Sequence, residues 1–352
     1  MTYQELITVE NLFQAWSEFR KSKKKRPDLQ VFERNLEDNL FDLYSSLKNK
    51  TYKHGGYESF YVNDPKRRHI HKASVADRVI HHLLYKYLYD VFDKTFIYDS
   101  YSCRLNKGTH KGVKRLEYFT RKVSYNYTRD CFALKLDVKK FFANVNHEIL
   151  FELLKKKIKD KDILWLLSEV IESFRSEEMD LAFQGLALEG CKGIPLGNLT
   201  SQIFANIYLN ELDQFVKQRL KVKYYIRYAD DFLILESDKR QVYQYIGILE
   251  RFLKDKIRLE FHPDKIIIRK LSWGIDFLGY VILPHYILPR TKTKRRIFRK
   301  LNKKIYDFKK GDISEYSLNQ TIQSYLGYLS HSNSYKTTQM LKNQFYFCII
   351  RV

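Results

Sequence analysis

Two adjacent carboxylates, Asp230 and Asp231, stand between two strongly apolar runs at 224–226 and 232–235. Like charges at this separation raise each other's pKa values unless a cation neutralises them. Asp is also a common residue of ordinary turns, so the pair alone fits a plain turn equally well. Because both flanks are apolar, we interpret the pair as the tip of a buried hairpin that holds a metal ion.

A third carboxylate, Asp137, ends a predicted short strand at 133–138. Neighbouring central strands would bring it beside Asp230 and Asp231. Carboxylate oxygens suit Mg²⁺, which keeps several waters and also accepts substrate phosphates. Two such ions, about 3.5–4 Å apart, would stabilise the attacking and leaving oxygens of a displacement at phosphorus. The three acids therefore predict nucleotidyl transfer with two Mg²⁺ ions, for which Mn²⁺ is an expected substitute.

The chain is strongly basic, with 63 Lys and Arg against 41 Asp and Glu and a net charge of +22. Eleven of the cations and one acid, Asp307, fall between residues 290 and 310, where apolar residues recur at helical spacing. A second basic cluster runs from Arg20 to Arg26. Composition alone fits a merely soluble basic protein equally well, but the clustering favours a track for a polyanion such as nucleic acid.

Other classes of protein are excluded by composition. Aromatic residues make up 15% of the chain, which rules out disorder for most of it. No apolar run approaches the roughly 18 residues needed to span a bilayer, and residues 1–13 do not resemble a signal peptide. We therefore expect a cytoplasmic protein. The four cysteines lack metal-binding spacing, which indicates reduced thiols.

Hydrophobic periodicity predicts helices at both ends of the chain and a mixture of helices and strands between them. Helices are predicted at 4–20, 28–48, after a Ser74-x-x-Asp77 capping box, and at 147–158, 160–175, 201–215 and 241–256. Strands are predicted at 133–138, 222–236 (a hairpin), 266–270 and 276–282, with short strands in 51–72 and a glycine-rich loop at 182–197. This arrangement indicates an α+β fold.

Several blocks of the chain resemble the ordered motifs of reverse transcriptases, over about residues 60 to 335. Asp137 with Phe142 five positions later resembles motif A, and Tyr228-Ala229-Asp230-Asp231 resembles motif C. Weaker matches are Lys66-Arg67-Arg68, Asp77-Arg78, Ser100–Arg104 with Lys107–His110, His262-Pro263-Asp264-Lys265 (motif D) and Phe277-Leu278-Gly279-Tyr280 (motif E).

The resemblance implies a right-hand polymerase fold with an N-terminal helical extension (1–50), fingers and palm (51–282) and a helical basic thumb (283–352). Within 51–282, fingers are expected mainly at 51–130 and an antiparallel-sheet palm mainly at 131–282. Template RNA, the RNA/DNA duplex and deoxynucleotides are the implied partners, with no membrane involved.

The resemblance also implies roles for individual residues. Asp137, Asp230 and Asp231 are the expected catalytic acids and metal ligands. The expected nucleotide-binding residues are Lys66, Arg68, Val138, Phe141, Phe142, Leu196, Gly197, Gln202 and Lys265. The expected template- and primer-binding residues are Arg78, Arg104, Tyr228, Phe277, Leu278, Gly279, Arg295, Arg296 and Arg299.

Some of these roles have competing interpretations. Phe142 is interpreted either as a residue that excludes a ribose 2′-hydroxyl or as a core aromatic beside Phe141. Lys265 would protonate the leaving pyrophosphate, or it is a surface lysine. The triphosphate contact assigned to Arg68 fits its neighbours Lys66 and Arg67 as well, because the register is uncertain by a residue.

The block Gly193–Gln202 resembles motif B and narrows the resemblance to one group of reverse transcriptases. Leu196 stands where intron-type and most retroviral enzymes carry Gln, and Gln202 stands where they carry Pro. This form resembles reverse transcriptases of diversity-generating retroelements, which misincorporate opposite template adenine and bind a pentameric basic accessory variability protein. Because both partners would be basic, docking needs an acidic patch, for which the candidate is Glu172, Glu177, Glu178 and Asp180.

Three other functions compete with this interpretation. An intron- or defence-linked prokaryotic reverse transcriptase is the nearest, and motif B opposes it. A non-catalytic RNA-binding scaffold is opposed by the intact acids Asp137, Asp230 and Asp231. An RNA polymerase with a similar palm is opposed by Phe142. We expect a prokaryotic or phage-encoded enzyme.

Overall fold

The computed structural model describes residues 1–64, 66–174 and 191–350. Four helices open the chain: α1 (Tyr3–Leu6), α2 (Val9–Arg20), α3 (Pro27–Arg34) and α4 (Leu36–Lys48). Their starts are set locally, because the side chains of Thr2 and Thr8 cap α1 and α2 and Pro27 begins α3.

A two-stranded antiparallel hairpin follows, with β1 (Tyr57–Val62) paired to β2 (Arg68–Ala73). Two helices come next, α5 (Val75–Phe92) and α6 (Thr109–Val123). Ser74 caps α5 as predicted, since its hydroxyl accepts from the backbone N–H of Asp77 at 3.2 Å. The apolar side chains of α2, α4 and α5 share one hydrophobic core, so the N-terminal helices are packed onto the rest of the molecule.

A four-stranded antiparallel sheet lies at the centre, in the order β4-β5-β3-β6. Its strands are β3 (Phe132–Asp137), β4 (Tyr225–Tyr228), β5 (Asp231–Glu236) and β6 (Ile267–Lys270). The helices α7 (Phe141–Asn144), α8 (His147–Lys155), α9 (Lys161–Glu172), α10 (Leu199–Gln214) and α11 (Lys239–Ile257) connect them. The predicted strands at 133–138, 222–236 and 266–270 are confirmed.

Alternation of side chains along the central strands divides the core in two. Leu134 and Leu136 of β3 face the larger core with α10 and α11. Ala133 and Leu233 face a second core that contains α6 and a three-stranded sheet. The central sheet is therefore covered by other elements on both of its faces.

The three-stranded sheet consists of β7 (Ile275–Phe277), β8 (Tyr280–Leu283) and β9 (Tyr286–Pro289). The predicted single strand at 276–282 is wrong, because the chain reverses there. Leu278 and Gly279 form a two-residue turn in which both have positive φ, 50° and 92°. Two such residues suit a tight hairpin, which a run of apolar residues does not reveal.

The chain ends in a helical unit of α12 (Thr291–Lys309), α13 (Glu315–Leu329) and α14 (Tyr335–Ile350). Ile297 and Leu301 on α12 are buried against Leu318, Ile322 and Leu341. The predicted apolar stripe of a basic helix is thus confirmed. Across the described ranges, none of the helices is long and apolar enough to span a membrane.

The α+β class with an antiparallel sheet, predicted from sequence, is confirmed. The glycine-rich loop at 182–197 and the end of the helix at 160–175 fall partly in 175–190, outside the described residues. The acids Glu177, Glu178 and Asp180 of the candidate docking patch lie there too.

Replacing Phe19 tests how strongly the N-terminal helices are attached. Phe19 is 2% exposed, its ring lies 5.3 Å from His82 of α5, and the Arg78 guanidinium carbon lies 5.0 Å from its centroid. We expect Phe19→Ala to lower the free energy of unfolding by about 3–5 kcal/mol in urea denaturation. Phe41→Ala, at a half-exposed ring, is the control and should change it far less; equal losses would contradict this packing.

Candidate active site

The three predicted carboxylates meet at one edge of the central sheet. Asp137, the last residue of β3, lies directly opposite Asp231, the first residue of β5. Tyr228 of β4 is also paired to Asp231, so Ala229 and Asp230 form the turn between β4 and β5. Like charges opposite each other across a strand pair are destabilising, so this register needs compensation.

The turn itself is strained. Ala229 has a φ of 53°, in the left-handed region that a residue with a Cβ occupies at a cost of about 1–3 kcal/mol. Its carbonyl accepts a hydrogen bond from Nη1 of Arg227 at 3.1 Å. The conformation that presents Asp230 is therefore held from beneath by a neighbouring side chain.

Arg227 is fully buried and forms an ion pair with Asp213 of α10, which is fully buried as well. Nε and Nη2 of Arg227 reach both carboxylate oxygens of Asp213 at 2.7–2.9 Å. Nη1 also donates to Oδ1 of Asn206 at 3.1 Å, and the Tyr225 hydroxyl donates to Asp213 at 2.7 Å. A buried ion pair is stable only when its remaining hydrogen bonds are made, and here they are.

The same residues tie a distant loop to the turn. The backbone N–H of Arg227 donates to the carbonyl of Asp99, and the N–H of Tyr101 donates to the carbonyl of Arg227. The Asn206 amide donates to the carbonyl of Ser102 at 2.9 Å. Sequence reasoning missed Arg227, Asp213 and Asn206. The one signal was a charged residue within an otherwise apolar strand, which needs a buried partner.

Two lysines compensate the carboxylates. Nζ of Lys265 lies 2.7 Å from Oδ1 of Asp137, and Nζ of Lys135 lies 3.8 Å from Oδ1 of Asp231. The turn that carries Lys265 is itself anchored, because the N–H of His262 donates to the carbonyl of Asp137 at 2.9 Å. The structure thus places Lys265 within the site, and its role as an acid stays a prediction.

The electrostatics of the site favour a bound cation. Burial raises the pKa of Asp230 to about 6, with a further contribution from Asp137. Burial also raises the pKa of Asp231, while Lys135 opposes that change. Both shifts mean that negative charge is held here at a cost, which a cation would relieve.

The donor set fits a hard divalent cation, since all three side chains offer only oxygen. In the part of the chain that is described, no group of three or more His, Cys, Asp or Glu side chains is already arranged around a common metal position. The Lys265 ammonium occupies an oxygen of Asp137 instead. A metal ion at Asp137 would therefore bind the other carboxylate oxygen, Oδ2, or displace Lys265 from Oδ1.

The expected nucleotide residues of motif A differ in exposure. The side chains of Val138 and Phe141 are buried, so only their backbone can face a nucleotide. Phe142 is half-buried, packs edge-on against Phe141 and accepts at its carbonyl from the N–H of Ile194. Phe142 is therefore the member of this set whose ring can reach a substrate, although it also contacts the core.

Motif B is held against the β1–β2 hairpin. The carbonyl of Leu196 accepts from the N–H of His71 at 2.8 Å, and Gly197 has a φ of 131°. A Cβ at Gly197 would lie 3.0 Å from the carbonyl oxygen of His71. Glycine is thus needed here for contact with β2, whereas its expected role in nucleotide binding stays a prediction.

Gln202 is exposed and lines a cavity of about 310 Å³ with Gly197 and two residues of the Arg20–Arg26 cluster, Lys23 and Arg26. Arg78 also borders this cavity. The structure thus brings the N-terminal basic cluster beside motif B.

Two predicted template-binding arginines have partners within the protein. Arg78 is buried and pairs with Asp28 at 2.6 Å. Arg104 pairs with Asp93 at 2.6 Å and donates to the carbonyl of Ile97. Both side chains therefore fasten elements of the fold together, and a contact with template stays a prediction.

The predicted primer-binding residues divide in the same way. Phe277 is fully buried in the second core, whereas Leu278 and Gly279 form the β7–β8 turn. Tyr228 is half-buried, and its hydroxyl lies 3.4 Å from that of Thr109. Arg68, which is expected to bind the nucleotide, is exposed on β2. Gly279 borders a cavity of about 430 Å³ that is shared with Lys66, Arg295, Arg296 and Arg299.

An ion pair spans this second cavity. Asp64, in the loop between β1 and β2, pairs with Lys300 of α12 and lies 3.9 Å from Arg296. The β1–β2 hairpin and the C-terminal helical unit are thus joined across a basic cleft.

Comparison with known proteins decides the family. A family profile described as reverse transcriptase (RNA-dependent DNA polymerase) matches residues 53–282, about two thirds of the chain. The chain belongs to the reverse transcriptase family. The resemblance seen in the motifs is thereby confirmed at the level of the family.

Curated relatives of this reverse transcriptase include intron-encoded proteins. It is 23% identical to protein YkfC of Escherichia coli over 242 residues, covering 60% of this chain and 61% of that protein. It is 24% identical to the group II intron-encoded protein LtrA of Lactococcus lactis over 312 residues, covering 70% of this chain and 50% of LtrA. The chain thus spans between half and three fifths of these two relatives.

Solved telomerase structures are among those to which this reverse transcriptase was found to be similar. Telomerase of Candida albicans, in complex with a fragment of telomeric RNA, has 12% identity and a TM-score of 0.49, covering 89% of this chain and 61% of its own. Apo telomerase of Candida tropicalis gives the same score over 71% of this chain and 59% of its own.

Replacing Arg227 tests the buried ion pair. We expect Arg227→Met to lower the free energy of unfolding by about 3–5 kcal/mol, because Asp213 is left buried and unpaired. The double variant Arg227→Met/Asp213→Leu should recover part of the lost stability but not primer extension, since the carbonyl of Ala229 still lacks its donor. Arg251→Met, at an exposed position, is the control. Full activity in the stable double variant would contradict a role in holding the turn.

The raised pKa of Asp230 predicts a pH-dependent stability. Between about pH 4 and pH 6 the folded protein binds more protons than the unfolded chain, so its stability falls as pH rises. Asp230→Asn should therefore raise the melting temperature at pH 7.5 in EDTA, and the gain should shrink toward pH 4. Asp264→Asn, at an exposed acid in the Lys265 turn, is the control. A gain of equal size at both pH values would contradict the shift.

Proposed function

We propose that this reverse transcriptase is error-prone and copies a template RNA into cDNA for mutagenic retrohoming in a diversity-generating retroelement. The observation that carries the proposal is Leu196 at the motif B position where intron-type enzymes have Gln. A leucine side chain cannot hydrogen-bond to a nucleotide or template base. Its backbone is fixed by His71, so the half-buried side chain offers an apolar surface at a defined position.

The chemistry is assigned to the carboxylate edge. Reverse transcriptases use divalent metal ions, and we propose two Mg²⁺ ions, or Mn²⁺, held by Asp137 and Asp230 with help from Asp231. Such ions, when bound, stabilise charge on the attacking and leaving oxygens. Lys265, which pairs with Asp137, would donate a proton to the leaving pyrophosphate.

Nucleotide selection is assigned to exposed groups around this edge. Lys66 and Arg68 are exposed on the β1–β2 hairpin and would bind the triphosphate, for which the planar guanidinium fork is suited. The ring of Phe142 would lie under the sugar and exclude a 2′-hydroxyl. That exclusion argues against an RNA polymerase, and the intact acids argue against a non-catalytic RNA-binding scaffold.

Template and primer are assigned to the basic surfaces. We interpret residues 51–130 as fingers, 131–282 as palm and 283–352 as thumb, with 1–50 as an extension. Arg295, Arg296 and Arg299 of α12 border the basic cleft and would contact duplex phosphates independently of sequence. The groove between Lys23, Arg26 and motif B would take the template strand. A cytoplasmic, prokaryotic or phage setting belongs to the same proposal.

An accessory protein is part of the proposal as well. A pentameric basic partner would need an acidic surface on this basic chain. Glu172, the last residue of α9, is the one member of the candidate patch within the described residues.

The intron-encoded relatives favour a second candidate, an intron-type reverse transcriptase. LtrA and the putative COX1/OXI3 intron 2 protein of Saccharomyces cerevisiae, 20% identical over 302 residues, are its support. The two candidates differ in fidelity, because only the retroelement enzyme is expected to concentrate errors at template adenine.

Sequencing of cDNA made on a defined RNA template separates them. We expect wild-type errors to cluster opposite adenine, and Leu196→Gln to reduce that cluster by restoring a polar contact at the nucleotide. Leu105→Gln, at an exposed leucine, controls for the substitution itself, and Asp230→Ala should abolish incorporation. Errors spread evenly over the four template bases would contradict the retroelement assignment, and an unchanged spectrum in Leu196→Gln would contradict the role of Leu196.

A further inference from the structure

A third cavity, of about 500 Å³, lies beside the end of β3, and none of the residues assigned above lines it. It is concave and strongly basic, within the usual size range of small-molecule sites. Its lining residues are Lys139, Lys140, Asn144, Lys192, Lys254, Arg258, Leu259 and Glu260. Five cations and one acid give the described lining a net charge of +4.

The backbone places this cavity next to the carboxylate edge. The N–H of Lys139 donates to the carbonyl of Glu260 at 2.9 Å, and Val138 is bridged to Phe261. The chain after β3 therefore runs alongside the segment that follows α11. Lys139 is two residues beyond Asp137, about 7 Å along an extended chain. A ligand in the cavity would thus lie close to the reacting groups without occupying their position.

Two of the cations are presented by unusual backbone. Lys140 and Arg258 have φ values of 44° and 49°, in the left-handed region that favours glycine. Arg258 stands at the C-terminal cap of α11, where glycine is the common choice. Strain of this kind persists where the surroundings enforce it and clusters at functional sites.

Four of the five cations, Lys140 excepted, have a weak ion pair or none within the described residues. Lys139 lies 3.9 Å from Glu260, and Arg258 lies 3.2 Å from Glu148, but both pairs are exposed and therefore weak. Lys192 and Lys254 have no ion pair within the described ranges. A ligand carrying several negative charges would gain contacts with three separate segments of the chain.

We propose that this cavity binds a polyphosphate group: the triphosphate of a deoxynucleotide on its way to the carboxylates, or the pyrophosphate on its way out. Both carry three to four negative charges, which match the charge of the described lining. None of those lining residues is aromatic, so the cavity offers no surface on which the bases of an RNA strand could stack. The inference rests on the polymerase activity proposed above.

The double variant Lys192→Gln/Lys254→Gln tests the proposal, because it removes two cations without touching the carboxylates. Primer extension should show a KM for deoxynucleotide that is raised roughly three- to tenfold, as the loss of two partly exposed charge contacts predicts, with kcat within about twofold. The inhibition constant of pyrophosphate should rise by a similar factor. Lys221→Gln/Lys223→Gln, at exposed lysines elsewhere, is the matched control.

The two sources of the ligand give different results. A change in KM alone assigns the cavity to the arriving nucleotide, and a change in pyrophosphate inhibition alone assigns it to the product. Unchanged values for both overturn the proposal. Weaker binding of template RNA at an unchanged KM also overturns it, because the cavity would then serve the RNA backbone.

A binding measurement keeps this test separate from the proposed function. Calorimetric titration of the wild-type protein with pyrophosphate, without divalent ions, should show binding that the Lys192→Gln/Lys254→Gln variant weakens at an unchanged melting temperature. If the wild-type protein binds pyrophosphate more tightly than the variant but fails to extend a primer, the proposed polymerase function is wrong. The proposed binding of polyphosphate in the cavity is then retained. If the wild-type protein extends a primer and binds pyrophosphate no more tightly than the variant, the proposed binding in the cavity is wrong. The proposed polymerase function is then retained.

Discussion

The buried ion pair between Arg227 and Asp213 is the interaction on which the site depends. Two charges without exposure to water are tolerated only when each hydrogen-bonding group finds a partner, so the arrangement has little freedom to relax. Because Asn206 and the carbonyl of Ala229 share the guanidinium, the position of α10 and the shape of the β4–β5 turn are set together. A displacement of α10, which carries the end of motif B, would therefore change the position of Asp230.

The carboxylate edge shows the opposite use of charge. Asp137 and Asp231 face each other across the sheet, and the strands that hold them are buried on both sides, so the acids cannot separate. Lys265 and Lys135 relieve part of this repulsion. In a chain with a net charge of +22, a few acids are kept together by the rigidity of their strands and surrounded by cations. The carboxylate edge therefore holds acidic side chains close together in a rigid arrangement, as the binding of a metal ion requires.

How much of this was visible in the sequence depended on how far apart the interacting residues are. The hairpin at 222–236 and the apolar stripe of α12 could be predicted, since both come from patterns within a few residues. The turn at Leu278 and Gly279 could not, because it depends on backbone conformation rather than on hydrophobicity. Arg78 lies 50 residues from its partner Asp28, and a motif match gives no information about such a pair.

The contact between Asp64 and Lys300 joins the β1–β2 hairpin to α12 across the basic cleft. Both side chains are about half exposed, so salt weakens this contact. The phosphate contacts proposed for α12 would weaken with salt as well. Low salt would therefore keep the hairpin and α12 together in the free protein, and high salt would let them separate.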